Sequence, residues 1–353
     1  MRRARYRGQD VAVRTLVHNV TLGTLDLALL TKPTFDRAAW VQQGNDEKAL
    51  DIVREAQILL TLRHPNIVTF YGLMQNPRER SLSFVLGWAH NGSLYEYIDH
   101  ATPLGRVEGR RILYEIASAM AYLHANNVVH RDLKSPNVLL DSTLSAKVSD
   151  FDASTLQRSD NSSVSQNRMT YFWASPEQLQ GERRIKADTD VFSFGVIMWE
   201  VFFNAHPEAY YGNCGSVVLH ARYKARDFLP AKEFNQRSLS ASEADLLDKC
   251  FQRSGSRTGF ARLQETLKEH AEAAAAQREV NQRLQRELLL GREDEVWKHP
   301  AHMLALREHA LQLDARPAIK IAPLDLHNEA HRQYIQKVRW VGKWGEGRGD
   351  WKH

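Results

Sequence analysis

Cysteine is nearly absent from this chain. Cys214 and Cys250 are the only two among 353 residues, which excludes a disulfide-stapled scaffold and fits a reducing compartment such as the cytoplasm. Long hydrophobic runs are missing as well. The most apolar stretch, Val191 to Phe203, is broken by Ser193, Gly195 and Glu200 and falls short of the ~20 residues that a bilayer demands, so it reads as a helix buried in a core. There is no internal repeat. Neither sign of charge dominates: 47 Lys and Arg stand against 42 Asp and Glu, and a net charge of +5 is weak support for nucleic-acid or membrane binding. What is present is an ordinary soluble composition, 43% hydrophobic and 25% charged, enough to bury one full core and carry an appendage.

Local patterns organise the middle of the chain. Val138-Leu139-Leu140 and Ala146-Lys147-Val148 read as short strands, with a turn signal at Asp141-Ser142-Thr143 between them. Such a hairpin sets Asn137 beside Asp150. Ile112, Leu113, Ile116, Ala117, Met120, Ala121 and Leu123 recur at helical spacing and predict a core-packed helix that ends at Asn126-Asn127 and delivers His130 to a loop. Leu50, Val53, Ala56, Ile58, Leu59 and Leu62 predict a second helix over Asp46 to Leu62, and Ser81 to Leu86 predicts a strand. Ala261 to Leu290 predicts a long charged helix whose apolar stripe is too broken for a coiled coil.

Three segments carry chemistry: His130-Arg131-Asp132-Leu133-Lys134-Ser135-Pro136-Asn137, then Asp150-Phe151-Asp152, then Ala174-Ser175-Pro176-Glu177. Each alone is a weak signal. In this order and spacing they resemble the catalytic core of the protein kinases. The resemblance implies an α+β, bilobal protein-kinase-like fold, with a small β-rich N-lobe that is incomplete here and a mainly α-helical C-lobe. It also implies ATP and Mg2+ as cofactors and a protein as substrate.

Phosphoryl transfer leaves the protein chiefly to position groups and neutralise charge. By resemblance, Asp132 would orient the substrate hydroxyl or take its proton, while Asn137 and Asp150 would give Mg2+ the hard oxygens it requires. Lys134 would steady the transferred phosphoryl group. With Thr170-Tyr171-Phe172-Trp173 and Phe192-Ser193-Phe194-Gly195, it is similar to the tyrosine-kinase-like group of Ser/Thr kinases. On ATP, Ala12 and Leu139 would sandwich the adenine, Leu86 would be the gatekeeper, Gly87-Trp88-Ala89 the hinge, and Arg14 would pair with Glu55 near the phosphates. Asp190 would anchor the backbone around His130 and Arg131, and Glu177 would bridge to Arg257. Phosphate placed on the 152–170 loop, between Phe151 and Trp173 and ending at Thr170, by an upstream kinase or by autophosphorylation, would pair with Arg131.

Three departures from the family pattern bear on activity. The Gly-rich phosphate loop would fall upstream of Met1, as though the chain began midway through the second strand. Arg14 stands in place of Lys, a planar fork for a compact ammonium. Asp152 stands in place of the Gly of Asp-Phe-Gly. Two expectations therefore remain side by side: a protein serine/threonine kinase, and a catalytically impaired pseudokinase scaffold. The expected layout is a kinase domain over 1–270, with an N-lobe over 1–88 that carries an insertion at 15–45 and a C-lobe over 89–270. A charged helical extension over 271–299 would follow, then an irregular basic tail with Trp over 300–353 that is not expected to contact nucleic acid or membrane.

Overall fold

The structure, a computed structural model, describes residues 1–18, 47–76, 81–98, 104–151, 155–156, 170–182, 186–212, 214–231, 233–234 and 237–289. Asp152, most of the 152–170 loop, residues 19–46 and the tail over 300–353 lie outside the described residues. Met1–Ala271 form one compact unit. The second unit begins at Glu272 and is helical as far as Leu289.

The first part of the compact unit is a four-stranded antiparallel sheet. β1 (Arg2–Tyr6) and β2 (Gln9–His18) form a hairpin closed by Arg7 and Gly8, whose φ values of 48° and 81° are those of a two-residue turn that follows the twist of the strands. Helix α1 (Glu47–Thr61) follows, then β3 (Phe70–Asn76) and β4 (Ser81–Gly87). The strand order is β1-β2-β4-β3, so β4 is hydrogen-bonded on both sides. The first residues of the insertion expected at 15–45 lie within β2. Thr15, Val17 and His18 pair with Ser83, Leu82 and Ser81, because β4 is long enough to offer each of them a partner across a bulge.

The second part is mainly helical. α2 (Leu94–Ile98) leads to α3 (Arg106–Ala125), which buries Ile112, Leu113, Ile116, Ala117, Met120 and Leu123 and closes on Asn126. β5 (Val128–Val129) precedes the hairpin of β6 (Val138–Leu140) and β7 (Ala146–Val148), and β8 (Thr155–Leu156) pairs back onto β5. Within the hairpin, Val138 faces Val148 and Leu140 faces Ala146. The turn is tied by Asp141 Oδ1, which accepts from the Thr143 and Ser145 N–H groups.

α4 (Pro176–Leu179) opens with a capping box between Ser175 and Gln178. α5 (Thr189–Phe203) is buried at every residue except Phe202 and is the post around which the helical part packs. α6 (Glu208–Tyr211), α7 (Ser216–Lys224), α8 (Ala241–Cys250) and α9 (Phe260–Leu289) complete the described helices. One contiguous apolar core runs from Ala12 in the sheet to Leu267 in α9. Among the described residues, no helix is long and apolar enough to cross a membrane.

Candidate active site

The site is framed by buried backbone contacts. Asp190, at the first turn of α5 and fully buried, accepts the His130 N–H on Oδ2 at 2.9 Å and the Arg131 N–H on Oδ1 at 2.8 Å, while His124 Nε2 donates to Oδ2 at 2.8 Å. Burial opposes its ionisation. The hydrogen bond and charge of His124 and the His130 N–H outweigh that burial and hold the carboxyl below the ordinary Asp value. The turn this anchor fixes is unusual, since Arg131 has φ 68°.

His130 is itself buried, with its ring 5.2 Å from that of Phe151. Its Nδ1 accepts the Asp132 N–H at 3.3 Å, which leaves Nε2 to donate to the Ser149 carbonyl at 3.1 Å. The loop is thereby joined to the residue before Asp150.

Asp132, Lys134 and Asn137 meet directly. Lys134 Nζ lies 2.6 Å from Asp132 Oδ2, and Asn137 Nδ2 donates to the Asp132 carbonyl at 2.8 Å and to Oδ2 at 3.2 Å. The Asn137 carbonyl in turn accepts from the Ser149 N–H and Oγ, both at 2.9 Å, so the hairpin holds Asn137 next to the strand end that carries Asp150. Asp150, with φ 66°, takes Arg14 Nη1 on Oδ1 at 2.7 Å.

Arg14 does more than pair with Glu55. Its Nη2 alone reaches both Glu55 oxygens, at 2.5 and 2.6 Å, which frees Nη1 for Asp150. The guanidinium stands 5.3 Å from the centre of the Phe84 ring. The arginine therefore links α1, β2 and the end of β7 through two carboxylates.

The residues expected around adenine divide into two groups. Ala89 and Leu139 line a cavity of about 360 Å³ at the end of β4, together with Gly87, Trp88 and His90. Ala12 and Leu86 do not line it. They are register partners on β2 and β4 and are buried in the core. Arg14, Glu55, Asp132, Asn137 and Asp150 also lie outside the lining of this cavity.

Glu177 and Arg257 form a two-pronged buried pair. Arg257 Nη1 and Nη2 donate to Oε1 at 2.5 Å and Oε2 at 2.9 Å. Burial pushes against the Glu177 charge, but the Arg257 hydrogen bonds and charge win and its pKa falls below the ordinary Glu value. Thr170 opens a short 3₁₀ turn that runs to Phe172.

Residues outside the motifs complete the frame. Gln178 Nε2 donates to the Arg131 carbonyl at 2.9 Å. Glu200, fully buried in α5, gathers Ser135 Oγ at 2.8 Å, Trp173 Nε1 at 2.9 Å and His206 Nδ1 at 3.0 Å. Burial raises its pKa despite those partners. The signal for Glu200 is in the sequence: it is the one charged residue between Val191 and Phe203.

The donor set suits Mg2+. Among the described residues no three His, Cys, Asp or Glu side chains gather into a metal cage. Mg2+ needs no such cage, because it is held by one or two protein oxygens together with substrate phosphates. With Nδ2 of Asn137 donating to Asp132 and Oδ1 of Asp150 taken by Arg14, Asn137 Oδ1 and Asp150 Oδ2 are the oxygens that remain.

A small antiparallel sheet and a helical body, with the Asp132 loop and the Asp150 strand end joined across one hairpin, define a two-lobed, protein-kinase-like α+β domain. The chain belongs to the protein tyrosine and serine/threonine kinase family, whose model matches residues 39–267. It is 36% identical to the serine/threonine-protein kinase CTR1 of Arabidopsis thaliana over 204 residues, 56% of this chain and 22% of that protein. It is also 36% identical to the probable serine/threonine-protein kinase SIS8 of the same plant over 245 residues, 65% of this chain and 22% of that protein. To the serine/threonine-protein kinase STY17, also from Arabidopsis thaliana, it is 28% identical over 228 residues, 64% of this chain and 38% of that protein. The chain thus spans about a fifth of the length of the first two relatives.

Proposed function

We propose that this chain is an ATP- and Mg2+-dependent protein serine/threonine kinase domain of the tyrosine-kinase-like group, acting on Ser or Thr hydroxyls of proteins. One observation carries the reading: Lys134 and Asn137 both converge on Asp132, while Asn137 is bonded through Ser149 to the strand end that bears Asp150. Lys134 and Asn137 occupy Oδ2 of Asp132, which leaves Oδ1 to accept from a substrate hydroxyl. As the hydroxyl oxygen bonds to the γ-phosphorus, the bond to the β–γ bridging oxygen breaks, ADP leaves, and the hydroxyl proton passes to Asp132. Lys134, beside that carboxylate, balances charge on the transferred group. Asn137 Oδ1 and Asp150 Oδ2 would hold Mg2+, which supplies charge neutralisation on the phosphates. Ala89 and Leu139 would receive the adenine. Relatives named serine/threonine-protein kinases support the substrate class.

The decisive measurement is transfer of labelled phosphate from ATP to myelin basic protein by the purified chain, with Asp132→Asn as control. We expect the control to lose at least ~100-fold, the usual contribution of a positioned base. Equal counts from both proteins end the reading. A second reading, an impaired scaffold, is favoured by the 2.7 Å contact that engages Asp150 with Arg14. That reading is the one left standing if nucleotide raises the melting temperature while both proteins transfer no phosphate.

A further inference from the structure

We infer that His64 is a proton-sensitive latch: its neutral ring pins the turn between α1 and β3 to α3, and an imidazolium at the same place releases that turn. The turn follows directly on α1 and is stitched to the helical part of the unit. The Arg63 N–H donates to Tyr122 Oη at 3.0 Å, Asn66 Nδ2 to the Ala146 carbonyl at 3.1 Å, and the Val68 N–H to the Val148 carbonyl at 2.9 Å. None of these groups titrates near neutrality. His64, half-buried among them, does.

Hydrogen bonding fixes the tautomer of the ring. The Asn66 N–H donates to Nδ1 at 3.1 Å, so Nδ1 carries no proton, and in a neutral imidazole Nε2 then does. Nε2 faces Ser118 Oγ on α3 at 3.2 Å and donates to it, while Gln264 Nε2 on α9 donates to the same oxygen at 3.2 Å. The Tyr122 ring lies against the imidazole, with centres 5.2 Å apart. A second proton has no place in this arrangement. In the imidazolium, Nδ1–H points at the Asn66 N–H, a donor against a donor. Because Asn66 is buried, its stranded N–H bears the cost of desolvation.

Charge acts in the same sense. Among the described residues, the charge that works on the ring is the Lys147 ammonium of β7, which donates to the carbonyl of neighbouring Pro65 at 2.6 Å. α3 presents Ser118 and Tyr122, α9 presents Gln264, and Arg63 on the turn itself is another cation, its Nη1 turned to the Leu62 carbonyl. Glu115, also on α3, is spent on Arg111, Ser145 and the Ala146 N–H. Burial first, and then Lys147, lower the His64 pKa, the direction that a contact built for the neutral ring requires.

Release of the turn frees the end of α1, the helix that carries Glu55 against Arg14 at 2.5 Å. On the kinase reading, on which this one consequence rests, phosphate transfer gains an acid limb at the His64 midpoint, and His64→Asn removes it.

The test is nuclear magnetic resonance of the full chain with isotope-labelled histidine, the His64 signal being the one that His64→Asn lacks, together with amide hydrogen exchange. We expect ring-nitrogen shifts of a neutral imidazole protonated on Nε2 at pH ~7.5 and a titration below the ordinary ~6.5. Exchange of the Asn66 and Ile67 amides, corrected for intrinsic rates, should rise about tenfold across that same titration, as for the loss of one net hydrogen bond. His64→Asn supplies a side-chain carbonyl that accepts the N–H two residues on at every pH, so exchange there should cease to follow pH. Lys147→Gln removes the repelling charge and should move the ring midpoint to higher pH. A ring protonated on Nδ1 at neutral pH, amide exchange that ignores the ring titration, or a pH response that survives His64→Asn overturns the proposal. Exchange that follows the ring in a chain that transfers no phosphate supports the latch and sinks the kinase reading alone.

Discussion

Arg14 satisfies two carboxylates with one guanidinium, and the geometry says what it would cost to replace it. Glu55 is buried and takes Arg14 Nη2 on both of its oxygens, while Nη1 holds Asp150. An ammonium at this position is a compact charge and cannot reach two carboxylates from two directions in the same way. Arg14→Lys should therefore keep the Glu55 pair, release Asp150, and lower stability by about 1–2 kcal/mol, less than the ~3–5 kcal/mol of losing a buried partner outright. On the kinase reading, the freed Asp150 oxygen should raise phosphate transfer by about tenfold, or ~1.4 kcal/mol of barrier. Urea unfolding and the transfer assay read the two effects separately. The Glu177–Arg257 fork belongs to the other class. Both side chains are almost wholly buried, so Glu177→Ala should cost about 3–5 kcal/mol in urea unfolding by stranding the guanidinium.

Packing between elements turns on one glycine. A Cβ added at Gly195 in α5 would lie 2.6 Å from the Cys250 Cβ and 3.0 Å from the Phe251 ring, and neither atom is the end of a flexible chain. Helix propensity favours Ala over Gly by ~1 kcal/mol, but overpacking of a core costs ~1–3 kcal/mol and more where nothing can yield. Gly195→Ala should therefore lower the melting temperature by about 4 °C or more, measured by differential scanning calorimetry. Burial that tight also pushes the Cys250 thiol up to about 12. Elements of this kind were legible where the signal was local. The β6–β7 hairpin announced itself by apolar runs around Asp141, α3 by the spacing from Ile112 to Leu123, and α5 by its near-continuous apolar run. Two-residue β5 and β8 carry no period to read, and their pairing joins positions 128 and 156. The ring of Ser135, Trp173 and His206 around Glu200 was likewise beyond reach, because its donors come from three separate segments and only the fold brings them to one carboxylate.

At the scale of the whole molecule, buried carboxylates make stability depend on pH in a direction that can be worked out. Asp190 ties α5 to the His130 turn, Glu177 ties α4 to Arg257, and Glu243 ties the start of α8 to Arg110 on α3. Burial alone would raise all three. Their hydrogen bonds and neighbouring cations overcome it and hold each pKa below its ordinary value. A carboxyl with a depressed folded pKa contributes stability that is present above its unfolded value, ~4, and is lost as pH falls through the folded one. His64 acts in the same sense nearer neutrality. Burial first, and then the Lys147 charge, lower its pKa, so its contribution is present above the unfolded ~6.5 and declines as pH falls. Glu200 has the opposite sign, because burial raises it, and its contribution is lost as pH rises through the folded value. Urea midpoints from pH 8 to pH 3 should therefore slope down gently below ~6.5 and steeply below ~4. Glu177→Gln removes one of the depressed groups, so its deficit relative to the unsubstituted chain should be level between about pH 8 and 5 and should shrink below ~4, where the native carboxylate is also being protonated. A deficit that instead widens toward acid would mean that Arg257 does not hold Glu177 ionised, and that this junction is maintained by shape alone.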